Sequence, residues 1–141
     1  YLRRYPRLVG MERTNALRAP PPDELVELVV IDAGWTPQRL IVPAALGWLA
    51  ASPTARIITL IKPHYEQTAA GRQPRSSRRL DRGVLADEDA AAVARRVVEE
   101  LRSAGVCDLG LTRSPIRGGA AKGKSGNIEF LALFAPDRSS S

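Results

Sequence analysis

An α/β fold with a largely parallel sheet is what this sequence predicts, and two observations predict it. Short apolar runs rich in Val, Ile and Leu alternate with longer segments whose apolar residues recur at helical spacing. Between them lie proline-, glycine- or charge-rich stretches of the kind that end an element rather than continue it. At 141 residues, 44% hydrophobic and 26% charged, the chain has the length and balance of one soluble domain around a single core.

The elements follow in order. Residues 7–12 (RLVGME) and 27–32 (ELVVID) read as buried strands, separated by a proline-rich loop. Residues 36–52 (TPQRLIVPAALGWLAAS) read as a helix with Thr36 as N-cap and Pro37 at the first helical position. Pro43 is expected to kink that helix or mark a late start. Residues 55–61 (ARIITLI) form a third strand, and residues 62–85 a long polar loop carrying Arg72, Arg75, Arg78, Arg79 and Arg82. The clearest helix is DEDAAAVARRVVEELRSAG, with acids in its first turn and Gly105 as its stop. VCDLGLTR is a fourth strand, SPIRGGAAKGKSG a loop, and residues 127–134 (NIEFLALF) a fifth strand. The tail APDRSSS is expected to fray.

The net charge of +6 favours a polyanionic partner such as nucleic acid, although a merely basic protein would look the same. Cys107 is the one cysteine, so no disulfide forms within the chain, and a reducing cytoplasm is expected. The longest apolar run, residues 40–51, is broken by Pro43 and falls short of the ~20 residues that cross a bilayer. No charged-then-apolar leader opens the sequence, and no membrane partner is expected. One His and one Cys make no metal site.

Residues 118–125 (GGAAKGKS) satisfy the pattern G-x-x-x-x-G-K-[ST] of phosphate-cradling loops. Such a loop works only where a strand enters it and a helix starts directly after it, because the helix N-terminus surrounds the phosphates. Here Gly126 and Asn127 lead instead into alternating Ile, Phe and Leu, which is strand chemistry. Nucleotide binding therefore stays a distant alternative.

Three polar residues stand at the ends of, or within, apolar strands: Asp32 after LVVI, Lys62 after RIITLI, and Glu129 inside NIEFLALF. In an open parallel sheet the functional crevice lies outside the carboxyl ends of the strands. Asp32 and Lys62 would project there together, and Glu129 would join them if its strand ran antiparallel. A lysine among carboxylates can orient a hydroxyl or remove its proton. An ordinary strand-end ion pair is the equal alternative on chemistry alone.

LVVIDAGW, LIKPHYE, SPIRG and GNIEFLALF, in this order, resemble the haemolysin-A-type ribosomal RNA methyltransferases, 2′-O-ribose methylating relatives of the FtsJ group. LRRYPRLVGMERTNAL resembles their segment around the third strand of the catalytic domain, so the similarity runs from about Leu2 to Phe134. The resemblance implies a partial Rossmann-like sheet that uses S-adenosylmethionine, mostly parallel with the last strand antiparallel. It implies a Lys-Asp-Lys-Glu tetrad, of which Asp32, Lys62 and Glu129 match the last three members. The reaction implied is in-line attack of a ribose 2′-hydroxyl on the sulfonium methyl, with Lys62 as base or orienting group. Thr14 and Asn15 would approach the adenine, and Asp32, Ala33, Gly34 and Trp35 would line the cofactor or substrate cleft. Trp48 would pack in the core, and His64 would line the cleft or lie on the surface.

The chain also departs from that family. AGWTP stands where a Val-Ser-Phe-Ile-Ser-like run is usual, and an arginine-rich stretch replaces a glycine-rich, lysine-containing one. The first tetrad lysine, the glycine-rich cofactor loop, the first two strands and a small S4-like RNA-binding domain would all precede Leu2. Residues 1–135 are accordingly expected to be an incomplete methyltransferase domain from its third strand onward, and 136–141 a tail. The family's strand order is third, second, first, fourth, fifth, seventh, sixth. Without the first two strands an apolar sheet edge would stand open, and the 141 residues alone are expected to be inactive. Arg72, Arg75, Arg78, Arg79, Arg82, Arg113, Arg117, Lys122 and Lys124 are candidate contacts to ribosomal RNA phosphates. A non-catalytic RNA-binding relative with the same fold is the alternative.

Overall fold

The computed structural model describes residues 8–69, 85–119 and 126–138. Its strands are β1 (Leu28–Ile31), β2 (Arg56–Ile61), β3 (Val106–Arg113) and β4 (Phe130–Pro136), and its helices are α1 (Gln38–Leu46), α2 (Pro63–Ala69) and α3 (Asp87–Arg102). The strands form one sheet in the order β1–β2–β4–β3. β1 pairs with β2 in parallel, whereas β4 runs antiparallel to both β2 and β3. The last strand is thus antiparallel as expected. Because it is inserted between β2 and β3, only one of the three pairings is parallel, although β1, β2 and β3 share a direction.

The core lies between one face of the sheet and the apolar stripes of α1 and α3. Ile57 and Ile61 of β2 alternate with half-buried residues, and Phe130, Ala132 and Phe134 of β4 do the same, as a period of two requires. From α3, Val93, Ala94, Val97, Val98 and Leu101 recur at helical spacing and meet them. Asp87, Glu88 and Asp89 complement the positive end of the α3 dipole. Gly105, with φ of 88°, supplies the left-handed turn into β3.

Four expectations need correction. Among residues 8–12 there is no strand: Leu8 and Met11 are exposed, Val9 is 84% exposed, and no described segment offers them a ladder partner. Thr36 is not the N-cap of α1. That place falls to Pro37, which has no side-chain acceptor, and α1 begins one residue later with Pro43 inside it on an exposed face. The polar segment after Lys62 is not all loop, because α2 starts at once with Pro63 in its first position, where a missing N–H costs nothing. The last strand starts and ends later than expected. Ala135 and Pro136 belong to it, pairing with Cys107 and Val106, so the tail is ordered this far.

Candidate active site

The carboxyl ends of β1 and β2 and the start of β4 meet at one edge of the sheet. Asp32 follows the last residue of β1, and Lys62 follows Ile61, the last residue of β2. Antiparallel register places Ile61 opposite Phe130, so Glu129, one residue before β4, comes beside Lys62. All three residues expected to carry chemistry are therefore brought together. Lys62 Nζ donates to Asp32 Oδ1 at 2.5 Å, the lysine side chain 17% exposed and the aspartate 67%.

Glu129 is 7% exposed. Its backbone carbonyl accepts from Ser114 N–H at 2.8 Å, while Gly118 and Asn127 exchange backbone hydrogen bonds at 2.9 and 2.8 Å just beside it. The carboxyl lies against Gly118, where a methyl group would overlap Oε1. Glycine at this position leaves room for the Glu129 carboxyl, by close approach rather than by backbone angle. Burial pushes the Glu129 carboxyl above its ordinary value, the Lys62 charge opposes this, and the Asp32 charge adds to it.

Lys62 also begins α2, since its carbonyl accepts from Tyr65 and Glu66 N–H at 2.9 and 3.2 Å. The lysine backbone is fixed from both sides, by a ladder before it and a helix after it. His64 and Tyr65 come next on α2, their rings 4.0 Å apart, and Tyr65 lies 4.6 Å from the ring of Trp35. Trp35 is 78% exposed with φ of 64°, an unusual left-handed conformation for a bulky residue. Burial, and then the Lys62 charge, hold His64 below its ordinary value.

Beside Asp32 lies an open hollow of about 240 Å3 lined by Ala16, Val29, Val30, Ile31, Asp32, Ala33, Ile41, Ala45 and Trp48. Of the residues expected near a cofactor, Asp32 and Ala33 line it. Thr14 and Asn15 are exposed in a turn, with Thr14 Oγ1 donating to Glu12 O and Asn15 Oδ1 accepting from Leu17 N–H, and the adjoining Ala16 reaches the hollow. Gly34 and Trp35 are outside the lining. Trp48, expected in the core, is half-buried on the hollow's wall.

Arg113 and Arg117, expected at RNA, both pair with Asp87 at the start of α3, at 3.6 and 3.2 Å. Arg117 also donates to Gly126 O at 3.1 Å, which ties the two ends of the basic loop together. Arg72, Arg75, Arg78, Arg79, Arg82, Lys122 and Lys124 lie outside the described residues. So does most of the GGAAKGKS stretch, but the chain emerges from it into an Asn127 bridge and then β4, not into a helix.

Sequence reasoning missed Gln38 and Glu66. Gln38 is buried where the amphipathic pattern suggested only a helix start, and Glu66 is buried in a segment that looked polar and loose. The one available signal was Glu66 four residues after Lys62, the spacing of one helical turn.

No protein-family model matches the chain. It is 35% identical over 134 residues to YqxC of Bacillus subtilis (strain 168), named as a candidate rRNA methyltransferase, covering 92% of this chain and 43% of that protein. It is also 35% identical over 137 residues to TlyA of Mycobacterium tuberculosis, named a 16S/23S rRNA (cytidine-2′-O)-methyltransferase, covering 92% of this chain and 44% of that one. Among solved structures, a candidate hemolysin from Lactococcus lactis superposes with a TM-score of 0.72 at 26% identity, covering 94% of this chain and 58% of that one. One from Streptococcus thermophilus gives 0.76 at 27% identity, covering 98% and 46%. The chain spans less than half the length of both curated relatives. Alike in sequence over nearly all its length and alike in fold, the chain belongs with the haemolysin-A-type (TlyA-like) proteins, whose curated relatives are named as rRNA methyltransferases and of whose length it matches less than half.

Proposed function

We propose that this chain carries the catalytic edge of a methyltransferase that moves a methyl group from S-adenosylmethionine to ribose 2′-hydroxyls of ribosomal RNA. The observation that carries the reading is the Lys62–Asp32 pair at 2.5 Å with the buried Glu129 beside it. The sheet order β1–β2–β4–β3 supports a Rossmann-like frame, because it coincides with the fourth, fifth, seventh and sixth strands of that arrangement. Ribosomal RNA as substrate implies a cytoplasmic site of action.

The residues fit the methyl donor in part. The hollow is apolar with one carboxylate at its rim, which suits a flat heteroaromatic ring bearing an N–H. Its volume is below the ~300–1,000 Å3 of small-molecule pockets, so it receives a portion of the cofactor. Ala16, Ala33 and Asp32 would hold that portion. When bound, S-adenosylmethionine supplies an electrophilic methyl on a sulfonium.

Lys62 is the group that meets the ribose hydroxyl. An ammonium has three N–H donors, and Asp32 Oδ1 takes one. As the ammonium, Lys62 would orient the hydroxyl oxygen with another of these; as the base, it would enter as the neutral amine, take the hydroxyl proton while the oxygen takes the methyl from the sulfonium, and leave as the ammonium that Asp32 holds. Asp32 holds Nζ in place. Glu129, kept in a dry setting by Gly118, adjusts the charge around it. The basic segments at residues 72–82 and 122–124 would neutralise RNA phosphates, which predicts binding that weakens steeply with salt.

We further propose that the 141 residues alone do not turn over. β1 has no partner on its outer side among the described residues, and Leu28 and Val30 are exposed along it. The test is transfer of labelled methyl from S-adenosylmethionine to ribosomal RNA, by the isolated chain and by the gene product that contains it. Label on RNA from the isolated chain would contradict the second proposal. No label from either would contradict the first.

A further inference from the structure

Between α1, α2 and β2, the elements that flank Asp32 and Lys62 in the chain, lies a buried polar network that the reaction as described does not use. Glu66, on α2, is 9% exposed, and Gln38 and Thr59 are fully buried. Glu66 Oε1 accepts from the backbone N–H of Gln38 at 2.8 Å. Gln38 Oε1 accepts from Thr59 Oγ1 at 2.6 Å, and Gln38 Nε2 donates to Leu60 O at 3.3 Å. One residue, Gln38, thereby joins α1, α2 and β2.

The position of the network gives it a consequence for the site. The first-turn amides of a helix need acceptors, normally a Ser, Thr, Asp or Asn at the N-cap. At α1 that place is Pro37, which offers no side-chain oxygen, and no side-chain cap forms. Glu66 performs the task from another helix. Between Asp32 and Gln38 runs a short loop containing the left-handed Trp35, and between Lys62 and Glu66 runs the first turn of α2. Lys62 and Asp32 therefore stand on two segments fastened to each other at Glu66 and Gln38. Nearby charges do not account for the arrangement. Burial is the largest influence on Glu66 and raises its carboxyl above the ordinary value, with the Gln38 hydrogen bond opposing it and Glu100, Arg39 and Arg96 acting more weakly.

We infer that Glu66, acting through Gln38, is a positioning residue: the α1 amide it caps from α2 sets the placement of Asp32 against Lys62. The inference deepens the methyl-transfer reading, and its first test does not depend on that reading.

Lys62 is one of three lysines in the chain, with Lys122 and Lys124 as internal references. Acetylation by acetic anhydride, followed by mass spectrometry, measures how firmly Nζ is held. In Glu66→Ala, Lys62 acetylation is expected to rise about fivefold relative to the two references, the size of a lost helix cap. Glu66→Gln keeps the Oε1 acceptor and is expected to stay within about twofold of the native protein. Unchanged Lys62 labelling in folded Glu66→Ala, or labelling in Glu66→Gln raised as far as in Glu66→Ala, overturns the inference. Should Glu66→Ala fail to fold, Thr59→Val decides: it removes one hydroxyl from the network, and unchanged Lys62 labelling there overturns the inference equally. In the gene product containing the chain, Glu66→Ala is expected to lower kcat about tenfold with little change in KM for the methyl donor, as misplaced reacting groups do. Absence of methyl transfer by the native protein would sink the functional reading, while the labelling result still decides the role of Glu66.

Discussion

Lys62 is the residue on which the proposed chemistry turns. Its side chain is mostly buried, its charge faces Asp32, and its backbone is held by β2 and α2 at once. Lys62→Ala is expected to lower methyl transfer by at least about a hundredfold, in the range of a lost acid–base group. Lys62→Arg is expected to restore little, because a guanidinium is planar, always charged and cannot take a proton. Steady-state kinetics of the two variants check both statements. Gly118→Ala makes a separable prediction. The atom that a new methyl would meet is the mobile end of Glu129, so the carboxyl can swing away at a stability cost within about 1 kcal/mol. Turnover should nonetheless fall, since Glu129 leaves its buried place. A large loss of stability with native turnover in the surviving fold would count against this account of Gly118. At this scale the sequence was legible where a charged residue interrupts or ends an apolar run, as at Asp32, Lys62 and Glu129. It was illegible at Gly118, whose importance depends on a carboxyl eleven residues away in the chain.

The elements divide the same way. β2 and α3 were readable from their own periodicity, because each is buried on one side and carries its pattern within itself, whereas β3, with Val106 its one buried residue, was readable only as a short apolar run. Leu101, fully buried on α3, illustrates the dependence: Leu101→Ala is expected to cost about 2–5 kcal/mol, checked by denaturant unfolding. α1 and α2 were harder. The start of α1 is fixed by a carboxylate from elsewhere rather than by Thr36, and α2 is a helix of seven residues without an apolar stripe of its own. Residues 7–12 failed for the opposite reason. Their apolar run has strand composition, yet a strand needs a neighbour, and none is present for it among the described residues.

For the whole molecule, two buried carboxyl groups give a definite pH dependence. Burial raises Glu66 and Glu129 above their ordinary 4.5 in the fold. The folded state therefore binds more protons than the unfolded chain between that value and the raised ones. Their contribution to stability is complete below 4.5 and is lost as pH rises through the folded values. Glu66→Gln and Glu129→Gln should each flatten the fall in unfolding free energy over that window. A steeper fall in either variant would contradict the assignment. The open side of β1 is a second property of the whole. Leu28 and Val30 are exposed there, and unpaired apolar edges associate. Val30→Lys is expected to reduce concentration-dependent self-association of the isolated chain, measured by light scattering. Among the described residues no helix is long and apolar enough to cross a membrane.

Methyl transfer itself tests the central claim most directly. The gene product that contains this chain would be incubated with ribosomal RNA and methyl-labelled S-adenosylmethionine, and the label mapped by resistance of the adjoining phosphodiester to alkali. The account predicts label at a ribose 2′-oxygen, lost in Lys62→Ala. Label on a base, or label at the ribose undiminished in Lys62→Ala, would contradict it.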